Sequence, residues 1–595
     1  MTVTRRAALA GLGSTLLLPV VAGDALGAAA SPVDRQFSKI AAAWLDQSMR
    51  LIPVSATQIG DHRFDTQIDD VSAAGRAKAI AFTRRTLGKL EALDATKLSR
   101  ANQVDAALLT NTLRSYLWTM ETSQDWAWDP IYYQNIAGSA IYGLMSREFA
   151  PAATRLRAAT ARMERIPAFL AEVRRQLDLT RVPTPHAETY AGQNKGLKGI
   201  IGELVMPAAG ALKGADRARL DRAIATYNAA IDTHQRWIEE TLVPAAKADY
   251  RAGAERFDTK LGFTLQSKLT RAEIRQRADA AVIACRAEMY STARKALAGR
   301  ADAPALPDAP TPEQQQVAIK AALDLAAADR PARDKLVQVA TDQVEVARRF
   351  IVERDLITLP EGPVRVIVMP EFQRGIAVAY CDSPGPLEKH LDTFYAVSPI
   401  PDDWTEEQTV SFLREYNNRG IADIAVHEAM PGHYVQLFHS NRYPSVVRAI
   451  LGSGSFIEGW AVYAEQMMVD EGYRADDPLY RLTQLKIQLR AICNAIIDQA
   501  IHCDGMTREQ MMKLLTETAF QEEREAAGKW RRAQLSVTQL STYFVGYQEH
   551  AETRREAETR AGDSFRLKAY HDGILSFGSP PMRYARQLYF NEPIA

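Results

Sequence analysis

The sequence predicts a mainly α protein with a small β element, and three observations carry that expectation. Long amphipathic stretches rich in Ala, Leu, Arg, Glu and Gln dominate the first half of the chain, at Ala73–Leu93, Ala153–Leu177, Ala215–Leu242 and Thr270–Leu297. Runs with β character are short and confined to about residues 363–398, at Val364–Met369, Ile376–Tyr380 and Thr393–Val397. Helical patterning then resumes at Thr405 and continues, with loops, to the C-terminus.

Taken in order, the chain opens on Thr4-Arg5-Arg6-Ala7-Ala8-Leu9, an apolar run through Val21 and the small residues Ala28-Ala29-Ala30. Residues 1–30 read as a twin-arginine-like signal peptide, with the mature chain starting near Ser31 in the periplasm or outside the cell. Pro19 and Asp24 oppose a retained membrane helix, and no cysteine follows the run to take a lipid anchor. The expected organisation is a helical lobe over 31–302, a linker over 303–312 and a second lobe over 313–595. The linker is marked by its four prolines. Helices at Glu313–Ala327 and onward through Ile351 lead into the small sheet.

Composition narrows the function. With 595 residues, 47% hydrophobic and 24% charged, the chain has the makings of a large core. Its 72 Lys+Arg balance its 72 Asp+Glu, so no overall field draws it to nucleic acid or to an anionic membrane. Four cysteines without a C-x-x-C pair exclude a disulfide scaffold and a thiolate zinc ribbon. Cys493 and Cys503 either pair or stay as buried thiols.

Any metal must therefore sit on His and carboxylate, and one segment offers both: Ala425-Val426-His427-Glu428-Ala429-Met430-Pro431-Gly432-His433. A zinc hydrolase needs two neutral imidazoles converging on the ion and a carboxylate beside them to take a proton from water. On an unbroken helix His433 points about 120° away from His427. Pro431-Gly432 allows a break that returns His433 to the same side. Glu458, in the apolar segment Phe456-Ile457-Glu458-Gly459-Trp460-Ala461, has no reason to be there unless it is paired, and is the third candidate ligand. Glu465 lies two helical turns later on nearly the same face. It either bonds the free nitrogen of a ligand histidine or is an ordinary solvated carboxylate. His439 reads as a surface histidine at a helix end.

These residues resemble the bacterial family of unknown function numbered 885, regarded as zinc peptidases. The resemblance rests on His427–His433 followed by Glu458-Gly459-Trp460-Ala461. Further matches are Asp498–His502, Tyr543-Phe544-Val545-Gly546-Tyr547 and Tyr570–Leu575 leading to Gly578-Ser579-Pro580-Pro581. It covers about the last 230 residues closely and the N-terminal half more loosely. Cys503, after His502, departs from the family's pattern, which bears on that loop and not on the metal ligands.

The resemblance implies one zinc ion on His427, His433 and Glu458, with Glu428 as general base. By analogy with helical metallopeptidases of the thimet oligopeptidase and carboxypeptidase Taq type, it also implies a large bowl-shaped helical fold with the small β element next to the active-site helix. Tyr543 and His571, and after them His502, are candidates to donate to the oxyanion. Arg490 or Arg583 could clamp a substrate carboxylate. The expected activity is an exported zinc peptidase of short peptides. Two alternatives stay open: a zinc hydrolase of a specialised amide such as a cell-wall, γ-glutamyl or acyl-amino acid bond, and a non-catalytic helical periplasmic protein with a structural metal. A glycosidase is disfavoured, because its paired acids rarely come with two histidines.

Overall fold

The computed structural model describes residues 31–370, 373–374, 378–388 and 390–594. The signal-peptide expectation falls outside the described residues, as do Ile376 and Ala377 of the second β run. The fold is mainly α, with one three-stranded sheet among the described residues.

Helices start where the sequence supplies caps. The Thr270 hydroxyl accepts from the Glu273 amide while the Glu273 carboxylate accepts from the Thr270 amide, opening α1 (Arg271–Leu297). Thr311 and Gln314 do the same for α2 (Pro312–Ala328). The expected helix over Ala153–Leu177 is instead two, Ala152–Met163 and Ile166–Gln176. Pro167 is the reason, since a ring without an N–H is tolerated in a first turn and not inside a helix.

One core runs across the expected lobe boundary. Met289 and Ala293 of α1 and Ala318 and Ala322 of α2 share a buried cluster with Leu485, Leu489, Cys493 and Ile496, which belong to a long helix described below. The proline-rich stretch is itself packed: Leu306 lies against this cluster, and the Tyr290 hydroxyl donates to the Pro307 carbonyl at 2.6 Å. It is therefore a crossing within one core and not a joint between two. The N-terminal helices are also tied to the second half by the buried pair Arg448–Asp105 at 2.6 Å.

After α3 (Leu336–Arg354) come β1 (Arg365–Val368), β2 (Ala379–Asp382) and β3 (Phe394–Val397). The order is β1-β3-β2, with β3 parallel to β1 and antiparallel to β2. The central strand is buried along its length, which fits its apolar run Phe394-Tyr395-Ala396-Val397. The edge strand β2 is held to the N-terminal half by Arg147, which donates to the Asp382 carbonyl at 2.7 Å.

Six helices then build the site: α4 (Asn418–Glu428), α5 (His433–Asn441), α6 (Gly454–Asp470), α7 (Pro478–Cys503), α8 (Glu523–Leu535) and α9 (Ser541–Ala561). Two glycines let α6 and α9 touch backbone to backbone. A Cβ on Gly459 would lie 2.3 Å from the Gly546 carbonyl carbon, and one on Gly546 would lie 1.9 Å from the Ser455 carbonyl oxygen. This crossing fixes Glu458, next to Gly459, relative to Tyr543, one turn before Gly546. No helix among the described residues is long and apolar enough to cross a membrane, and all four cysteines are free.

Gly546→Ala should force the two helices apart and destabilise the protein by about 2 kcal/mol or more. Chemical denaturation checks this. An unchanged midpoint would show that the close crossing is not needed.

Candidate metal centre

The site begins with an interrupted helix. α4 stops at Glu428, and α5 starts at His433. Between them the Met430 amide donates to the Ala425 carbonyl at 3.0 Å and the Gly432 amide to the Val426 carbonyl at 2.9 Å, so the chain closes tightly on the end of α4. Only glycine fits at 432, where a Cβ would lie 1.8 Å from the His427 carbonyl oxygen. Trp460, fully buried on α6, donates its indole N–H to the Pro431 carbonyl at 2.9 Å and so pins the break against the helix that carries Glu458.

The consequence is convergence. The His427 and His433 rings stand at 86° with centroids 4.8 Å apart. Glu458 Oε2 lies 3.7 Å from His427 Nε2 and 3.4 Å from His433 Nε2. Zinc bonds of about 2.0–2.1 Å in tetrahedral geometry require ligand atoms roughly 3.4 Å apart, so these residues fit the ion. Among the described residues they are the one such cluster, with the ligand atoms within 4.8 Å of one another.

A buried carboxylate sets the tautomer. Glu465, 1% exposed, accepts from His427 Nδ1 at 2.6 Å, leaving the Nε2 lone pair for a metal. Of the two readings open for Glu465, the geometry selects the histidine partner. Behind it lies Asp423, one turn before His427 on α4 and fully buried, whose Oδ1 accepts from the Tyr480 hydroxyl at 3.1 Å. Burial, with Glu465 close by, pushes Asp423 well above its ordinary value. Burial opposes a charge on His427, yet Glu458 and Glu465 hold it well above its ordinary value. Burial likewise opposes the charge on Glu458, but the two imidazoles hold it below the usual range.

The cluster opens into a cavity of about 740 Å³, lined by the β2 edge and by α4, α6, α7 and α8. Glu428, 8% exposed, borders it, and its Oε2 is buried without a hydrogen-bond partner among the described residues. Tyr543 borders it too, its ring 6.5 Å from that of His427. Its hydroxyl accepts from Arg532 at 2.8 Å and Gln539 at 3.2 Å, which leaves the phenolic hydrogen free to donate. Burial and then Glu458 push its pKa up, keeping that hydrogen in place. Cys381 also lines the cavity, but burial and then Glu428 push its thiol well up, so it is not a nucleophile.

Arg490 reaches the cavity, paired with Glu525 at 3.5 Å. Three expected participants do not border it. His571 is fully buried: its Nδ1 donates to the Leu356 carbonyl at 2.8 Å and its Nε2 accepts from Tyr463 at 2.7 Å. Burial pushes it down to about 4, and it is a neutral packing residue. His502 donates to the Ala533 and Ser536 carbonyls, both at 2.9 Å, and staples α7 to the end of α8. Arg583 donates to the Tyr584 hydroxyl. His439 donates to the Thr358 carbonyl at 2.9 Å. The sequence reading missed Asp423, Arg532 and Lys529. A carboxylate in the apolar stretch Ile421–Val426 was the available signal for Asp423, whereas the two cations of α8 look like any others on a charged helix.

Fold and site together define a helical protein with a His-His-Glu cluster arranged as a metal-ligand set at the wall of a deep cavity. The chain belongs to the DUF885 family, bacterial proteins of unknown function, which it matches over residues 53–588. It is similar to the solved structure of a putative lipoprotein of unknown function from Shewanella oneidensis, at 34% identity and TM-score 0.76, over 94% of this chain and 100% of that one. A putative lipoprotein from Colwellia psychrerythraea shares the fold at 16% identity and TM-score 0.74, over 93% of this chain and 99% of the other. No curated protein matches.

Because both ligand imidazoles must be unprotonated to bind a metal, zinc affinity should fall on acidification and binding should release protons. Calorimetry in two buffers of different ionisation enthalpy measures this. Glu465→Gln should weaken zinc binding by about 10- to 100-fold while leaving the fold intact, as competition with a chromogenic chelator would report.

Proposed function

We propose that this protein is an exported zinc-dependent peptidase acting on short peptides. The observation that carries the reading is the placement of Glu428, immediately after His427, in the same cavity wall as the three ligand atoms. Bound by His427, His433 and Glu458, zinc would supply Lewis acidity toward a carbonyl and a lowered pKa for water. Glu428 accepts the proton of the attacking water at its carboxylate and passes it to the leaving amine. Tyr543 donates its phenolic hydrogen to the oxyanion, steadied by Arg532 and Gln539. Glu465 keeps His427 in one tautomer and orientation, and Trp460 keeps the Pro431-Gly432 break from drifting.

Three protein ligands facing an open cavity favour catalysis over a purely structural ion, since structural zinc is normally closed off by four. Export is supported by the Arg5-Arg6 leader pattern and by the similar proteins, which are described as putative lipoproteins. The balanced charge supports neither nucleic acid nor anionic lipid as a partner.

The test is mass spectrometry of a short-peptide mixture incubated with the protein as purified, after chelation and after zinc is returned. Cleavage should be lost and then restored. Glu428→Gln should keep zinc and lower turnover by about 100-fold or more. A zinc-loaded protein that cleaves nothing would overturn the reading.

A further inference from the structure

Five cationic side chains line the cavity among the described residues: Arg374, Arg490, Arg524, Lys529 and Arg532. Four are engaged. Arg374 donates to the Met369 carbonyl at 3.0 Å, and Arg490 is paired with Glu525 at 3.5 Å. The Arg524 guanidinium lies over the Trp404 ring at 3.7 Å, and Arg532 holds Tyr543 and Gln539. Lys529 is only 6% exposed and has no hydrogen bond or ion pair with the described residues. The carboxylate one turn before it, Glu525, is instead taken by the Tyr416 hydroxyl at 2.7 Å and by Arg490.

An ammonium on a largely buried side chain that meets a cavity without a hydrogen-bonded partner is placed to take an anion there. Burial and then Arg532 push Lys529 down to about 7 despite Glu525, and a carboxylate alongside would offset both effects. Its location narrows the anion. Lys529 is one helical turn from Arg532, Arg532 touches Tyr543, and Tyr543 lies beside His427. A carboxylate on Lys529 and a carbonyl at the ligand cluster therefore fit on one short peptide.

We propose that Lys529 recognises the free C-terminal carboxylate of the bound peptide, making the substrates short peptides cleaved near their C-terminus. This rests on the peptidase reading only for the cleavage; the carboxylate site stands on the cavity itself. The two sources of a carboxylate, a chain terminus and an acidic side chain, are separable by the choice of peptide.

The experiment is calorimetry on the zinc-loaded Glu428→Gln protein with three probes: N-acetyl-trialanine as the free acid, its C-terminal amide, and N-acetyl-Ala-Ala-Glu amide. The acid should bind at least about tenfold more tightly than either amide. Lys529→Met should remove that preference and Lys529→Arg should restore part of it, with circular dichroism checking that both variants fold. Equal binding of acid and trialanine amide, no binding of any probe, or a preference that survives Lys529→Met would overturn the proposal. Tight binding of the glutamate amide would overturn the assignment to the chain terminus. Hydrolysis of the acid by the unsubstituted zinc-loaded protein is read separately. No hydrolysis with the acid preference intact would sink the peptidase reading and leave the carboxylate site, and hydrolysis without the preference would do the reverse.

Discussion

Two imidazoles six residues apart can face one point only if the helix between them stops, and the rest of the site depends on how that stop is made. A tetrapeptide turn ends α4 at Glu428 and begins α5 at His433. It survives because Gly432 can lie against the His427 carbonyl and because Trp460 holds the Pro431 carbonyl from α6. The same helix supplies Glu458, the third member of the cluster, so one indole hydrogen bond links the two parts of the cluster. Glu-Gly-Trp-Ala is thus a single device: a candidate ligand, a close approach and a clamp in consecutive residues.

The close approach extends the device to Tyr543. Because Gly459 and Gly546 bring two backbones into contact, Glu458 on α6 and the phenol on α9 are set by main-chain geometry, which is stiffer than side-chain packing. Charge is handled in layers behind them. Glu465 bonds His427, and Asp423 beyond it accepts from Tyr480 while burial and Glu465 raise its pKa, which disfavours two adjacent bare carboxylates. On the α8 side, Arg490 and Glu525 pair, Tyr416 donates to Glu525 and Arg532 is spent on Tyr543, which leaves Lys529 without a direct partner among the described residues.

Much of this was legible from residue types. Caps, prolines and amphipathic periods located most helices, and the exception at Ala153–Leu177 turned on one proline whose effect depends on where the helix chooses to begin. The β runs were placed well because four apolar residues bounded by turn formers have few other uses; the second strand lies a little later than its expected run, at Ala379–Asp382. His427, Glu428, His433, Glu458, Glu465, Tyr543 and Arg490 are brought to one cavity. His571, His502 and Arg583 are not; a buried imidazole satisfied by carbonyls and hydroxyls has the same sequence appearance as one that faces a ligand.

By itself the sequence determined the local chemistry: which residues could ligate a metal, where the helix had to break, and that neither a thiolate zinc ribbon nor a net charge was available. These follow from spacing and composition, which are properties of neighbours along the chain. The tertiary structure decided everything that needs a partner from elsewhere. It made the proline-rich stretch a crossing within one core, gave Glu465 to His427, withdrew His571 into packing, and left Lys529 with no ion pair among the described residues. Burial and pairing are set by residues tens or hundreds of positions away, and only the folded chain brings those together.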